Sequence, residues 1–310
     1  MDGRRFGGNV TVVRVGVSRR GFLLATGIAL MGRGPTQVRA GQATPMASTG
    51  EPLLEATFAA DDLPTEAQAF FYRLTLPPDE TLSSLAGPFC GCGAEQIAPG
   101  VGAEMVQSGT YALRLAAPFR VHRAGGTDEE VAAEAEVVLK PGDAAIFPDY
   151  AAAGEIRAAG AEPAVVVGIA IVAVAGLGTP APSIPLSVEA EQLSTLRELG
   201  WGDIATGEPV SIRLQRVELP AGAALGPYET AGAEAMLVEA GQVGGSILPP
   251  GETSPPGTPL AYEAGSTVPF LTLRPGNRRL VTNTGDEPAV QLVASVGPEG
   301  GASPLSATGG

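Results

Sequence analysis

The stretch GAALGPYETAGAEAMLVEAG, residues 222–241, decides how the rest of the chain is interpreted. Its two end glycines, Gly222 and Gly241, predict tight turns. Between them Tyr228, Thr230 and Glu234 interrupt a run of small and apolar residues. Polar side chains at fixed spacing inside a turn-bounded segment mark a candidate site, and the surrounding sequence indicates the fold that holds it.

The chain repeats itself across its two halves, and this repeat predicts two copies of one domain. The order of the matching segments is kept. Their offset shrinks along the chain, so the first copy holds insertions, which we expect in loops. The matching pairs are 76–82 with 219–225, 107–109 with 239–241, and 160–165 with 285–290.

Composition and pattern both favour an all-β fold. The chain contains 43 glycines and 28 prolines without a collagen-like period, as expected for many short strands joined by turns. Short runs rich in β-branched and aromatic residues are bounded by Gly, Pro or Asp, which is the pattern of strands. The predicted strands include 70–76, 111–115, 144–147, 164–174 and 211–219.

One segment between the two copies departs from the strand pattern. Residues 187–199 carry apolar residues at helical spacing and are followed by Gly200, so we expect a short helix there. The apolar positions are Val188, Leu193, Leu196 and Leu199.

These features resemble a two-domain cupin, a bicupin, over residues 53–297. The spacing of residues 222–241 is similar to the first cupin motif. Residues 140–148 resemble the start of the second motif, and residues 283–288 resemble its end. The resemblance implies two tandem jelly-roll β-barrels joined by a linker with a short helix.

A metal-binding cupin uses three histidines and a glutamate, and the resemblance implies that this chain has lost most of them. Tyr228, Thr230 and Arg279 stand at the three histidine positions, and Glu234 alone is retained. In the first copy Glu104 lies two residues out of register with the glutamate position. We therefore expect no metal and no other cofactor in either barrel.

The three replaced positions, together with the retained Glu234, suggest two alternatives for the second barrel. If the motif geometry is kept, Tyr228, Thr230, Glu234 and Arg279 converge into a polar pocket suited to a small hydroxylated or carboxylated ligand. Alternatively, Glu234 and Arg279 form a buried ion pair that fills an empty barrel. The one histidine of the chain, His122, is expected on the surface at a strand end.

Cys90 and Cys92 lie in the larger insertion of the first copy. A possible disulfide between them would close a very small, strained ring. Free thiols, or a pair of ligands for a soft metal, are the alternatives. The sequence does not choose among these three.

The first forty residues predict an export signal. The run SRRGFLL, residues 18–24, resembles a twin-arginine signal, and the apolar stretch after it is too short to span a membrane. We expect cleavage after Ala40, with Ala43 as the alternative, and an extracellular or cell-envelope location. The predicted segments are 1–40 signal peptide, 41–52 flexible spacer, 53–176 first cupin domain, 177–208 linker, 209–297 second cupin domain and 298–310 disordered tail.

Beyond residue 40 the chain carries 12 basic and 32 acidic residues. This charge repels nucleic acid and anionic lipid, so we expect no nucleic-acid partner. The apolar run 164–175 reads as a buried strand, and we expect no membrane span in the mature chain. A monomer with an internal two-fold axis, or a homodimer, is the expected assembly.

Three functions fit these observations. The first is a non-enzymatic exported protein that binds a small molecule or has a structural role. The second is a metal-independent enzyme of the isomerase or epimerase kind that uses Tyr228 or Glu234 as acid or base. The third is a metal-dependent protein with a non-standard site at Glu234 or at the two cysteines.

Overall fold

A computed structural model describes residues 49–64, 67–84, 100–150, 152–173, 188–195, 208–230, 232–255, 257–272 and 276–300. Regular structure in these ranges is almost entirely β-strand, with a short 3-10 helix at Ala60–Asp62. The strands up to residue 173 are β1 (Thr49–Phe58), β2 (Ala67–Leu76), β3 (Thr81–Ser84), β4 (Gly100–Ser108), β5 (Tyr111–Leu115), β6 (Phe119–His122), β7 (Asp128–Val131), β8 (Glu136–Leu139), β9 (Ala144–Phe147), β10 (Ala153–Ala158) and β11 (Ala164–Ala173). The later strands are β12 (Glu189–Thr195), β13 (Val210–Leu219), β14 (Ala224–Tyr228), β15 (Ala233–Ala240), β16 (Gln242–Leu248), β17 (Leu260–Glu263), β18 (Thr267–Thr272), β19 (Arg278–Asn283) and β20 (Ala289–Pro298).

The strand order confirms the predicted pair of jelly-roll barrels. In the second barrel, β13-β20-β15-β18 form one sheet and β14-β19-β16-β17 form the other. The first barrel repeats this order with β2-β11-β4-β9 and β3-β10-β5-β8. Eight antiparallel strands that alternate between two sheets in this order define a jelly roll.

The repeats found in the sequence occupy equivalent turns of the two barrels. Gly109 joins β4 to β5 and Gly241 joins β15 to β16, with φ of 76° and 73° respectively. Glycine is favoured at both positions because a side chain strains a backbone in this region. All the predicted strands quoted above are confirmed, with end points that differ by a few residues.

The two barrels pack through one sheet of each, which we call the contact sheets. The contact sheet of the first barrel is extended to β12-β2-β11-β4-β9-β6-β7, and that of the second to β1-β13-β20-β15-β18. A continuous apolar layer that includes Phe58, Phe71, Ile169, Ile212 and Leu292 lies between them. The other two sheets, which we call the outer sheets, close the barrels from the far sides. The interior of each barrel holds an apolar cluster of its own.

The contact sheet of each barrel includes one strand from outside its own repeat. Strand β1 precedes the first barrel but pairs with β13 of the second, from Thr49 opposite Glu218 to Phe58 opposite Val210. Residues 49–52 belong to the predicted spacer, yet they form the start of this strand. The prediction of a flexible spacer up to residue 52 is therefore wrong for these residues. Pairing with the free edge of β13 orders a segment whose small and polar residues have little preference of their own.

The helix predicted for residues 187–199 is also wrong over the described part, where Glu189–Thr195 is strand β12. It pairs with β2 from Glu189 opposite Thr75 to Thr195 opposite Phe70, with a register shift between Gln192 and Ser194. A helix of thirteen residues is marginal without packing, whereas the open edge of β2 offers a row of hydrogen bonds. Val188, just before β12, belongs to the first barrel's interior cluster, and Leu193 belongs to the layer between the barrels.

The second insertion of the first copy is not simply a loop, as the sequence predicted. It contains the hairpin β6–β7, which continues the first contact sheet beyond β9. The corresponding connection in the second barrel, residues 249–259, has no strand among its described residues. The described part of the chain contains no helix long and apolar enough to cross a membrane.

Candidate functional site

Tyr228, Glu234 and Arg279 meet inside the second barrel. Tyr228 ends β14 and stands opposite Arg279 of β19 in the outer sheet, while Glu234 lies on β15 in the contact sheet. The Tyr228 hydroxyl donates to Glu234 Oε2 at 3.0 Å. Arg279 Nη1 approaches the same oxygen at 3.4 Å. One carboxylate oxygen thereby ties the two sheets together.

Thr230 does not join this group. Its hydroxyl donates to the main-chain oxygen of Gly232 at 3.0 Å, within the connection between β14 and β15. It therefore stabilises a turn, and the structure brings three of the four predicted pocket residues together. Sequence spacing alone could not separate Thr230 from Tyr228, because a hydroxyl can serve a turn as well as a pocket.

Burial controls the charge state of the trio. The side chains of Glu234 and Arg279 are only 2% and 3% exposed. Burial raises the pKa of Glu234 above its ordinary value, while Arg279 and the bond from Tyr228 lower it in part. Burial also raises the pKa of Tyr228 far enough that it remains a neutral donor. A single buried ion pair contributes little net stability, because the cost of removing both charges from water largely offsets their attraction.

A cavity of about 390 Å³ opens beside this trio, with Arg279 in its wall. This volume is in the range of small-molecule sites in proteins. The walls are mainly apolar, with three side chains that carry hydroxyl groups. The lining residues are Gly245, Ser246, Ile247, Pro255, Gly257, Thr258, Leu260, Tyr262, Val268 and Arg279.

Gly245 leaves much of the space for this cavity. It stands opposite Val281 of β19 and Leu260 of β17. Of the described part of the chain, a Cβ added there would meet Tyr262 alone within 4 Å, at 3.4 Å. The equivalent residue of the first barrel is Leu113, which stands opposite Ile156 and is fully buried. Leucine at this position fills the interior of the first barrel, whereas glycine leaves space for a cavity in the second.

The residues of the trio do not fit a metal ion. Arg279 places a cationic guanidinium against the one carboxylate that would serve as a ligand, and a cation there opposes a second one. Within the described ranges, no group of three or more His, Cys, Asp or Glu side chains could hold a metal. Hard and borderline metals need several such donors around one point.

The first barrel contains a polar cluster that the sequence interpretation missed. Glu104 on β4 is fully buried, and it accepts hydrogen bonds from Tyr72 at 2.6 Å and from Tyr111 at 2.9 Å. Burial raises its pKa from the ordinary 4.5 to about 7, although both tyrosine bonds lower it. Its signal in the sequence was a lone charged residue in the apolar run 100–106.

This cluster is closed rather than open. A Cβ on Gly168 would come within 2.5 Å of the Tyr72 hydroxyl, and one on Gly102 within 2.6 Å of the Tyr150 ring. The register confirms that Glu104 is displaced from the motif position, because Gly102 faces Ala170 as Glu234 faces Ser295. The first barrel therefore buries its carboxyl in a packed interior.

His122 lies at the end of β6, as predicted, with Nδ1 at 2.7 Å from Oδ1 of Asp128 on β7. Both side chains are exposed, so the pair belongs to the surface. Cys90, Cys92 and the predicted export signal lie outside the described residues, and their roles stay predictions.

No protein-family model and no curated protein matches the chain. Partial likeness exists to a cupin 2 conserved barrel domain protein from Leptotrichia buccalis, with 11% identity, 82% of this chain and 91% of that chain covered, and a TM-score of 0.33. An oxalate decarboxylase from Bacillus subtilis gives 13% identity, coverage of 84% and 81%, and a TM-score of 0.39. AerE from Microcystis aeruginosa gives 13% identity, coverage of 73% and 86%, and a TM-score of 0.36. Likenesses this weak assign no activity to the chain.

Proposed function

We propose that this protein is an exported bicupin without the metal-binding histidines, and that it binds a small molecule at the mouth of its second barrel. The cavity with the buried guanidinium of Arg279 in its wall carries the proposal. A pocket with apolar walls and one directional polar group is the usual form of a small-molecule site. The twin-arginine-like segment at residues 18–24 supports the export route.

Binding without catalysis is favoured by the position of the acidic groups. Arg279 lies in the cavity wall, whereas Glu234 and Tyr228 lie behind it and are hydrogen-bonded to each other. A general acid or base must reach the proton that it transfers. The geometry therefore supports recognition by Arg279 more directly than proton transfer to a substrate.

The experiment is calorimetric titration of the folded protein with phenylacetate, phenylacetamide and glucose. We expect at least one of these probes to bind to the wild type. Gly245→Leu introduces the residue of the first barrel into the cavity, and it should weaken binding by about tenfold or more, since a filled pocket excludes the probe. Arg279→Met should weaken binding of any probe that uses the guanidinium.

The matched control is Gly125→Leu, in the turn between β6 and β7, where an added Cβ meets no atom of the described residues within 4 Å. This variant should bind as the wild type does. Failure of all three probes to bind, or unchanged binding by Gly245→Leu, would contradict the proposed site. Elemental analysis of protein folded in the producing cell tests the metal-free state, and stoichiometric iron or manganese would contradict it.

A further inference from the structure

We propose that the ligand of the second barrel is a carboxylate with an apolar body, and that Glu234 takes up a proton from solvent when this carboxylate pairs with Arg279. The inference rests on the proposed function, because it concerns the same cavity. It adds the chemical class of the ligand and a coupling between binding and protonation.

The class of the ligand follows from the cavity walls. Ile247, Leu260, Tyr262 and Val268 present apolar surface, and Ile247 and Leu260 are 42% and 69% exposed at the rim. Apolar side chains that are exposed together beside a cavity indicate a ligand-binding or partner-binding site. Among the lining residues that the structure describes, Arg279 is the one that carries a charge. A planar carboxylate is the group that a guanidinium recognises best.

The coupling follows because Arg279 is shared. Its Nη1 already lies 3.4 Å from Glu234 Oε2, so a carboxylate entering the cavity becomes the second anion on one guanidinium. Two carboxylates held around one buried cation repel each other, and the pair then binds a proton. Protonation of Glu234 removes this repulsion while Arg279 remains charged.

Glu234 is the group placed to take the proton. Tyr228 on β14 and Arg279 on β19 face it across the barrel. In the contact sheet that contains Glu234, Ser295 stands opposite Glu234, and Arg213 stands opposite Ser295 on the next strand. Arg213 Nε donates to Glu55 Oε1 at 2.9 Å. Burial already raises the pKa of Glu234. Protonation of Glu234 therefore requires less free energy than protonation of a surface glutamate does.

The charges balance in this exchange. Before binding, the site holds one carboxylate and one guanidinium. Afterwards it holds the ligand carboxylate, the guanidinium and a neutral carboxyl group, and one proton has left the solvent. No covalent bond to carbon forms or breaks.

The test compares phenylacetate with phenylacetamide, which has the same ring and a neutral head group. We expect phenylacetate to bind about tenfold or more tightly, because only the carboxylate pairs with Arg279. Titrations in buffers of different ionisation enthalpy should show uptake approaching one proton per phenylacetate. Lowering the pH toward about 6 should raise the association constant, by up to about tenfold per pH unit, since proton uptake and binding are linked.

Glu234→Gln should remove the proton uptake and the pH dependence while phenylacetate still binds. Glu104→Gln is the matched control, because Glu104 is equally buried and also bonded to tyrosine, but in the other barrel. It should leave both properties unchanged. If Glu234→Gln does not fold, the uptake measured on the wild type still decides the matter.

Equal binding of phenylacetate and phenylacetamide would overturn the ligand class and leave the proposed cavity standing. Phenylacetate binding without proton uptake would overturn the coupling. Failure of every probe would overturn the proposed function together with this inference.

Discussion

At the scale of single residues, Glu104 and Glu234 show how surroundings determine the use of a carboxyl group. Each is buried inside a barrel and accepts a tyrosine hydroxyl. Glu234 has Arg279 as a cationic neighbour, whereas the position equivalent to Arg279 in the first barrel is Gly154. There, a Cβ would already come within 2.4 Å of the Arg114 main-chain oxygen, so no guanidinium fits. Glu104 is therefore surrounded by phenols, and burial favours its neutral form.

The raised pKa of Glu104 predicts a pH-dependent stability. The folded protein holds this proton with a pKa of about 7, against an ordinary 4.5, so the stabilisation is complete below the lower value and declines as the pH rises through the upper one. Between about pH 5 and about pH 8, we expect the wild type to lose roughly 3 kcal/mol more unfolding free energy than Glu104→Gln. Denaturant unfolding at both pH values measures the difference.

The control for this prediction is Glu155→Gln, because Glu155 is an exposed glutamate on β10. Its unfolding free energy should follow that of the wild type at both pH values. Parallel behaviour of Glu104→Gln and the wild type would show that Glu104 does not hold the proton.

At the scale of elements, β12 shows that an open strand edge outweighs a weak helical pattern. The apolar spacing of residues 187–199 suits one face of a helix. This pattern is a local preference and does not include the effect of neighbouring strands. In the fold, β2 presents ten residues with a free edge, and β12 completes the sheet there. Pairing and burial against two apolar layers then determine the conformation, because intrinsic propensity is small by comparison.

Leu193 provides a test of this strand. It is 7% exposed and belongs to the layer between the barrels. Leu193→Ala should lower the free energy of unfolding by about 2–3 kcal/mol, because it deletes buried methyl groups from a packed layer. Leu260→Ala removes the same atoms from a leucine that is 69% exposed, and its effect should stay within about 0.5 kcal/mol. Equal effects of the two substitutions would contradict the burial of β12.

At the scale of the whole molecule, the two barrels are joined by more than a linker. Strand β1 completes the contact sheet of the second barrel, although it precedes the first barrel in sequence. It also contributes Leu54, Ala56 and Phe58 to the layer between the barrels. Each contact sheet therefore includes a strand from outside its own repeat, β12 in the first barrel and β1 in the second.

Removing residues 1–58 should therefore destabilise both barrels. The edge of β13 becomes free, and an uncovered edge strand next to an apolar surface promotes association. We expect a lower melting temperature and dimers or aggregates in size-exclusion chromatography. Removal of residues 1–48 leaves β1 intact and is the control. A stable monomer after the longer deletion would contradict the role of β1.

The sequence by itself determined the repeated jelly-roll framework. Alternation and turn glycines are local properties, and a repeat is visible from a comparison of the two halves of the sequence without any knowledge of contacts. Gly109 and Gly241 are examples. The spacing also predicted a group of four residues, of which the structure brings Tyr228, Glu234 and Arg279 together.

Only the tertiary structure decided which side chains fill the interiors. It separated Thr230 from the trio, opened a cavity at Gly245, and buried Glu104 between two tyrosines. It also turned a predicted helix and part of a predicted spacer into strands. The reason is that these outcomes depend on contacts between residues far apart in the chain. Such contacts form only when two sheets close on each other, and a local pattern does not record which partner each strand will meet.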